Sequence, residues 1–255
     1  MHRINDRAVP WISFDAATCA AVPWRNGGGT TCELLALVAS DATGAEANHA
    51  FDARVSLATI AQPGPFSAFP GIDRQITLLD GRGVRLAAQD GAVDHRLEQA
   101  LVPFAFDGGI ALDAAWADGG AGTVNGDGDA ARVLNVMTRR GRCHATVEIM
   151  TTSATLGEAS PSSNRKVTLH LVARGAWRVA GPGDAVATAT LTAGQGAYSD
   201  SRLDALPDER SAHQEASHMD SRLQHSHERA ASLHLAPLTP GAALIVVRIT
   251  FLAAP

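Results

Sequence analysis

The sequence predicts an all-β protein built as a sandwich or barrel. Short apolar or alternating runs recur along its 255 residues, and most are separated by turns rich in glycine and aspartate. Many short strands at close spacing with such turns are typical of sandwiches and barrels. Two hairpins of similar sequence, at residues 78–85 and 171–178, further suggest a duplicated sandwich. We therefore expect two β-rich halves and few helices.

In the first half, residues 51–60 give the clearest strand signal. They alternate at period 2, which is typical of a half-buried strand. Phe51, Val55 and Leu57 share one face, whereas Arg54 and Ser56 point the other way. Further strands are predicted at residues 9–19, 31–39, 73–79, 84–88, 93–97, 101–106 and 110–115. The proline- and glycine-rich residues 62–71 are predicted to be a loop.

The second half begins after a glycine-rich linker at residues 118–129. Strands are predicted at residues 132–137, 144–150, 167–179 and 243–251, with a polar connection at residues 151–164. Residues 201–235 are rich in Ser, Ala, Arg, Asp and His, so they are predicted to be a flexible polar insertion.

Composition restricts the class of function. The net charge of −5 implies no basic face, so nucleic-acid binding is disfavoured. No apolar run approaches the ~20 residues of a membrane span, and the amino terminus lacks the apolar core of a signal peptide. Cys19, Cys32 and Cys143 have unrelated spacings, which favours reduced thiols over a disulfide framework. The expected location is the cytoplasm.

Residues 23–33 form the most informative stretch, because three consecutive glycines are costly to order. One interpretation is a tight glycine turn, with Trp24 plugging the core and Arg25 on the surface. The other is a polar rim whose bare backbone N–H groups face a small anionic or polar ligand. The run is not a phosphate-binding P-loop, because no Gly-Lys-Ser/Thr follows it.

Three blocks carry a resemblance to a known family. Residues 24–34, 64–74 and 134–142 resemble, in the same order, the signature of the HutD/Ves family of cupin-like bacterial proteins. The resemblance covers roughly residues 9–200 and the last strand. It implies an all-β double cupin, with jelly-roll-like halves at residues 9–117 and 130–255. The family usually has a basic residue where this chain has Cys32.

No metal or other cofactor is expected. Cupin enzymes usually hold a metal with a His-x-His pair, a carboxylate and a third histidine. The equivalent positions here offer Asp73 and Arg74 in the first half and a single His170 in the second, which do not suit a transition metal. The histidines of residues 213–234, including His225-Ser226-His227, form either a metal tract or a solvated segment. Cys32 and Cys143 are expected to be buried, inert thiols.

Anion recognition is the remaining chemistry, because arginine binds carboxylates through a bidentate fork. Several arginines and neutral polar residues fall in or beside the three blocks, where a sandwich could bring them together. Arg139 and Arg140 are neighbours on a strand, so at most one should point inward. The predicted ligand-binding residues are Trp24, Arg25, Asn26, Gly27, Gly28, Gly29, Thr31, Glu33, Arg54, Ser56, Phe66, Phe69, Arg74, Asn135, Thr138 and Arg139.

The resemblance implies a role in histidine utilisation. It suggests a metal-independent module that binds a small carboxylate such as urocanate, formylglutamate or formate and limits flux through the pathway. A second hypothesis is a metal-independent cupin enzyme acting on a small acid, with Glu33 as general base. A third is a structural partner of a catabolic enzyme. A homodimer, without nucleic acid or membrane, is the expected assembly.

Overall fold

A computed structural model describes residues 11–38, 51–120, 130–157, 164–180, 188–202 and 232–253. These ranges are nearly all β-structure, and their helical content is one 3₁₀ turn, Ala16–Thr18. The prediction of an all-β protein with few helices is therefore confirmed. Within the same ranges, no helix combines the length and hydrophobicity that a membrane span requires.

The described strands follow one another closely, as their short sequence patterns predict. In chain order they are β1 (Ile12–Asp15), β2 (Ala21–Pro23), β3 (Gly29–Leu37), β4 (Ala53–Ile60), β5 (Gly64–Phe66), β6 (Ile72–Asp80), β7 (Val84–Ala88), β8 (Asp94–Leu97), β9 (Pro103–Asp107), β10 (Leu112–Trp116), β11 (Ala131–Arg139), β12 (Cys143–Met150), β13 (Ala154–Gly157), β14 (Lys166–Arg174), β15 (Ala176–Ala180), β16 (Ala189–Thr192), β17 (Gln195–Asp200), β18 (Ser232–Pro237) and β19 (Ala243–Phe251).

The strands form four sheets, which repeat one topology twice. The N-terminal half contains a six-stranded sheet, β2-β3-β4-β11-β6-β9, and a four-stranded sheet, β5-β10-β7-β8. The C-terminal half contains a five-stranded sheet, β1-β17-β14-β19-β12, and a four-stranded sheet, β13-β18-β15-β16. The order β4-β11-β6-β9 thus recurs as β12-β19-β14-β17, and β5-β10-β7-β8 recurs as β13-β18-β15-β16.

Sheet membership crosses the predicted division of the chain at two places. Strand β1 lies in residues 9–117 but pairs with β17 of the C-terminal half. Strand β11 lies in residues 130–255 but pairs with both β4 and β6 of the N-terminal half. Long-range pairing decides which sheet a strand joins, and the local pattern of a strand does not reveal its partner. The division into two domains itself stays a prediction.

Among the described residues the core has three parts, which follow from the alternation of the strands. The first lies between the six-stranded and five-stranded sheets and includes Val55, Leu134, Leu169 and Val247. The other two fill the interiors of the N-terminal and C-terminal halves. In β4, Val55 faces the central core with the partly buried Leu57, as their shared face predicts.

Three segments predicted to lack strands contain short ones. Strand β5 lies in the loop at residues 62–71, and β13 lies in the connection at residues 151–164. Strand β18 begins within the predicted insertion, where Leu233 and Leu235 are buried. Patterns of three or four residues are too short to stand out in polar surroundings. Residues 121–129 and 203–231, with the predicted His-x-His, lie outside the described residues.

Candidate functional site: a buried arginine in the N-terminal half

Strand register brings five predicted site residues to one face of the six-stranded sheet. Asn135 of β11 is the Cα partner of Ser56 in β4, which in turn pairs with Glu33 in β3. Two positions further along β11, Met137 pairs with Arg54 of β4 on one side and with Arg74 of β6 on the other. Successive rungs on one face are separated by two residues, so these side chains occupy adjacent rungs. That face looks into the interior of the N-terminal half.

Arg74 is the centre of this group and is only 5% exposed. Its Nη2 donates to Oδ1 of Asn135 at 2.9 Å, and its Nη1 donates to the carbonyl oxygen of Ser67 at 3.1 Å. Its Nε is buried and finds no hydrogen-bond partner among the residues that the structure describes. A guanidinium carries five N–H donors, so these neutral contacts leave donor capacity unused.

Three phenylalanine rings surround the Arg74 guanidinium. Its Cζ lies 4.6 Å from the ring centroid of Phe66, 5.5 Å from Phe69 and 5.1 Å from Phe106. Gly108, in the turn after β9, also approaches, and a Cβ atom at this position would stand 2.9 Å from the Arg74 side chain. Aromatic faces stabilise a cation without cancelling its charge. The surroundings therefore hold the guanidinium in place and keep it positive.

The electrostatics of Arg74 are those of an uncompensated cation. Burial lowers its pKa to about 10, and the positive charge of Arg54 contributes further to the decrease. The side chain therefore remains charged at neutral pH. The described residues provide it with no ion pair, and its hydrogen bonds go to an amide and a carbonyl. Buried charges are usually paired, so this site favours an anion.

Among the described residues, Arg54, unlike Arg74, forms an ion pair. Its Nε donates to Oε2 of Glu33 at 2.8 Å, and both side chains are partly exposed. The two residues form an ion pair beside Arg74, on the same face of the sheet. Arg54 therefore contributes its field to the site while Glu33 occupies its Nε donor.

The glycine run forms a turn that satisfies much of its own backbone. The N–H of Gly27 donates to the carbonyl oxygen of Trp24 at 3.0 Å, and the N–H of Gly28 donates to Oδ1 of Asn26 at 3.0 Å. Gly27 has a φ of +69°, which glycine adopts without strain. The predicted rim of bare N–H groups is thus wrong for Gly27 and Gly28.

Gly29 is required by a close approach of neighbouring backbone. A Cβ atom there would stand 2.2 Å from the carbonyl oxygen of Thr59 and 3.1 Å from the Trp24 ring. Trp24 packs over this glycine, and its Nε1 donates to Oγ1 of Thr31 at 2.7 Å. Its ring meets Phe66 edge to face at 6.3 Å. The run therefore supports an aromatic ring that covers Arg74.

Three other predicted residues are not brought to Arg74. Arg139 binds the carboxylate of Asp52 at 2.9 Å and the carbonyl oxygen of Phe51 at 2.8 Å. Thr138 lies on the opposite face of β11 from Asn135, since neighbouring residues alternate. Arg25 is exposed at the surface. Ligand contacts by these residues stay predictions.

A profile of the family described as HutD matches residues 16–216. The chain belongs to the HutD family. Family membership and the repeated strand order agree with a cupin-like β fold.

Curated relatives in the family carry the name Protein Ves. The protein from Citrobacter koseri is 35% identical over 185 residues, which are 72% of this chain and 80% of the relative. The protein from Cronobacter sakazakii is 33% identical over 166 residues, which are 65% of this chain and 78% of the relative. The predicted HutD/Ves relationship is therefore confirmed.

Two solved structures share the fold. HutD from Pseudomonas fluorescens SBW25, solved in a formate condition, matches with a TM-score of 0.62 and 20% identity, covering 96% of this chain and all of that one. A conserved protein of unknown function from Pseudomonas aeruginosa PAO1 matches with a TM-score of 0.65, 20% identity and the same coverage. At such identity, the likeness concerns the fold alone.

The cysteines of this HutD family member correct one prediction. Cys19 and Cys32 form a disulfide, so they are not reduced thiols, and Cys32 is not a buried inert one. The pairing of β2 with β3 sets Ala21 opposite Cys32 and thereby brings Cys19 near, which sequence spacing does not reveal. Cys143 matches its prediction. It is 3% exposed, and burial raises the pKa of its thiol to about 11.

The described residues contain no group of three His, Cys, Asp or Glu side chains that could hold a metal. His170 is 2% exposed, and its ring lies 5.2 Å from that of Trp11. Burial lowers its pKa to about 4, and Arg248 adds to the decrease, so its imidazole is neutral at pH 7. A site without metal stays a prediction.

The sequence did not single out Phe106 or Gly108. Phe104 and Phe106 alternate in a short strand, which indicates one shared face but not what that face covers. The pairing of Phe106 with Arg74 across β9 and β6 supplies the missing information. The close approach of Gly108 to Arg74 likewise has no signal in the sequence.

Proposed function

We propose that this chain is a metal-independent binding protein for a small carboxylate, built as a double cupin with its site in the N-terminal half. The observation that carries the proposal is Arg74, a buried cation whose described hydrogen bonds go to neutral groups. A carboxylate offers the charge and the paired oxygens that a guanidinium recognises. Asn135 holds the fork in position and supplies a further amide donor.

The repeated topology supports the double-cupin interpretation. Each sheet of the N-terminal half has a counterpart with the same strand order in the C-terminal half, as expected of a duplicated sandwich. The same positions carry different chemistry in the two halves, because Arg74 of β6 corresponds to Thr168 of β14 by strand order and register. The proposed carboxylate site therefore belongs to one half only.

Family membership supports a place in histidine catabolism, where we propose that the protein acts as a regulator of flux. The candidate ligands are acids of that pathway, urocanate and formylglutamate, together with formate. Formate is included because a related HutD was solved in a formate condition. A cytoplasmic location belongs to the same proposal.

The enzyme hypothesis gains no support from Glu33. Its Oε2 accepts a hydrogen bond from Nε of Arg54 at 2.8 Å, so the carboxylate that would have to act as general base is already engaged by a cation. Binding without turnover is therefore the function that the geometry favours.

The proposal can be tested with a thermal-shift screen of the purified protein. Histidine, urocanate, formylglutamate, formate and glutamate would each be added with and without EDTA. A ligand that binds only the folded state raises the melting temperature by mass action. We expect one acid to raise it selectively, with no effect of EDTA and no turnover of that acid. No shift with any acid, or a shift abolished by EDTA, would contradict the proposal.

A further inference from the structure

The Cys19–Cys32 disulfide encloses the glycine loop. The two cysteines are 13 positions apart, and the ring that they close contains the whole run from Trp24 to Thr31. Cys19 lies between the 3₁₀ turn and β2, and Cys32 lies on β3. The disulfide therefore fastens the base of the loop whose tryptophan supports Phe66.

The disulfide faces open space. Both cysteines are partly exposed and line a cleft of about 390 Å³. The walls come from both halves of the molecule and include Leu57 of β4 and Leu171 of β14. A cleft of this size admits a small molecule. The buried Cys143 has no comparable access.

The charges of the cleft restrict which molecules enter. Asp15, Asp80 and Arg132 line it, and Arg132 Nη1 lies 3.2 Å from Oδ2 of Asp80. Asp15 makes its hydrogen bonds with a backbone N–H and with Gln195. One negative charge therefore remains uncompensated among these three side chains, which disfavours the entry of an anionic small molecule.

We propose that the Cys19–Cys32 disulfide is a thiol-exchange site, opened through this cleft by a small uncharged or cationic thiol. A thiolate attacks one Sγ, the Sγ–Sγ bond breaks, and the departing cysteine thiolate takes up a proton. A second thiolate attacks the mixed disulfide and releases the second cysteine. Overall, two thiols are oxidised to one disulfide while the protein gains two electrons and two protons.

Opening the ring should loosen the cover of the carboxylate site. Thr31 is adjacent to Cys32 and accepts the hydrogen bond from the Trp24 indole. Trp24 contacts Phe66, whose ring lies 4.6 Å from Arg74. Reduction therefore frees the segment that holds Trp24 in place. This effect on binding rests on the proposed function, whereas the exchange chemistry does not.

Alkylation of the folded protein tests the exchange site directly. The protein is purified without reductant, and one sample is treated with iodoacetamide directly. Parallel samples are first incubated with 2-mercaptoethanol, cysteamine or 2-mercaptoethanesulfonate and are then treated with iodoacetamide. We expect mass spectrometry to find Cys19 and Cys32 unmodified at first and both modified after reduction, with Cys143 unmodified throughout. The anionic thiol should react most slowly. Free cysteines before reduction, or a disulfide that is reduced only in denaturant, would overturn the proposal.

Hydrogen exchange and calorimetry test the consequence for the loop. Reduction should speed amide exchange in residues 20–31 several-fold and weaken the binding of urocanate, formylglutamate or formate. The double variant Cys19→Ser/Cys32→Ser should behave like the reduced protein and should not respond to thiols. Unchanged exchange and affinity on reduction would overturn the coupling while the carboxylate site stands. If the oxidised protein binds none of the three acids, the proposed function is overturned instead. The thiol-exchange proposal would still be decided by alkylation and hydrogen exchange.

Discussion

Asn135 holds Arg74 without neutralising it. Nη2 of Arg74 donates to Oδ1 of Asn135 at 2.9 Å, across two neighbouring strands of the six-stranded sheet. Both side chains are 5% exposed. An aspartate at position 135 would be nearly identical in shape but would cancel the charge. The amide at this position, unlike a carboxylate, therefore leaves the charge of the buried cation uncompensated.

The variant Asn135→Asp tests that relationship. The new carboxylate would form a buried ion pair with Arg74 and compete with any ligand carboxylate. We expect affinity for the acid identified by thermal shift to fall at least about 10-fold, equivalent to about 1.4 kcal/mol. The melting temperature should change little. The control Asn135→Ser leaves the cation uncompensated and should lose less affinity than Asn135→Asp. Equal affinity in Asn135→Asp and the wild type would contradict the proposed carboxylate site.

Gly29 should be intolerant of a side chain for a structural reason. The Cβ of Gly29→Ala would lie 2.2 Å from the carbonyl oxygen of Thr59, so the backbone must shift. We expect a loss of about 1–3 kcal/mol in the free energy of unfolding, as in overpacked cores. Urea denaturation measures it. The control Gly64→Ala meets its nearest neighbour at 3.9 Å and should keep the wild-type midpoint. Equal midpoints for the two variants would refute the steric argument.

The sequence was sufficient to predict most strands and the meeting of side chains from separate family-like blocks, such as Arg74 and Asn135. Alternation in residues 51–60 correctly places Arg54 and Ser56 on one face, and the family blocks point to Arg74 and Asn135. What the sequence could not supply is register over long separations. The sheet that β11 joins, the covering of Arg74 by Phe106 and the nearness of Cys19 to Cys32 all depend on which strands pair.

The glycine run shows how one pattern permits two physical causes. Consecutive glycines suit both a ligand-facing backbone and a crowded turn, and composition does not distinguish them. The hydrogen bonds of Gly27 and Gly28 and the closeness of Thr59 to Gly29 favour the turn. The run therefore reaches Arg74, the centre of the proposed site, only indirectly, through Trp24 and Phe66.

The disulfide should contribute measurably to stability. Closing a loop of this length restricts the unfolded chain by about 3 kcal/mol in the chain-entropy estimate. Urea denaturation of Cys19→Ser/Cys32→Ser should therefore show a loss of about that size. Dithiothreitol should lower the stability of the wild type and leave the double variant unchanged. A reductant effect of equal size on both proteins would show that the disulfide is not its cause.

Stability should fall on acidification because of His170. The pKa of its imidazole is about 4 in the folded chain, whereas 6.5, the ordinary value for histidine, applies to the unfolded chain. As the pH falls, the unfolded chain therefore binds a proton before the folded chain does. Stability is thus full above pH 6.5 and is lost progressively toward pH 4, by about 3 kcal/mol from this residue. The cationic Arg248 on β19 acts in the same direction.

The variant His170→Phe isolates this contribution. Between pH 6.5 and pH 4 it should lose about 3 kcal/mol less than the wild type, measured by urea denaturation at each pH. The control His144→Phe changes an exposed histidine on β12 and should follow the wild-type curve. If His170→Phe and the wild type lose the same stability over this range, another group is responsible.

Isothermal titration calorimetry of Arg74→Met tests the carboxylate site most directly. Urocanate, formylglutamate and formate would be titrated into the wild type, Arg74→Met and the control Arg85→Met, whose exposed arginine pairs with Asp94. Methionine fills the space between the rings, and replacing a buried charge by an apolar side chain often preserves stability. We predict that one acid binds the wild type and Arg85→Met alike and binds Arg74→Met roughly 10- to 100-fold more weakly, the loss expected for a charged hydrogen bond. Equal affinity for all three proteins would show that Arg74 does not bind the ligand.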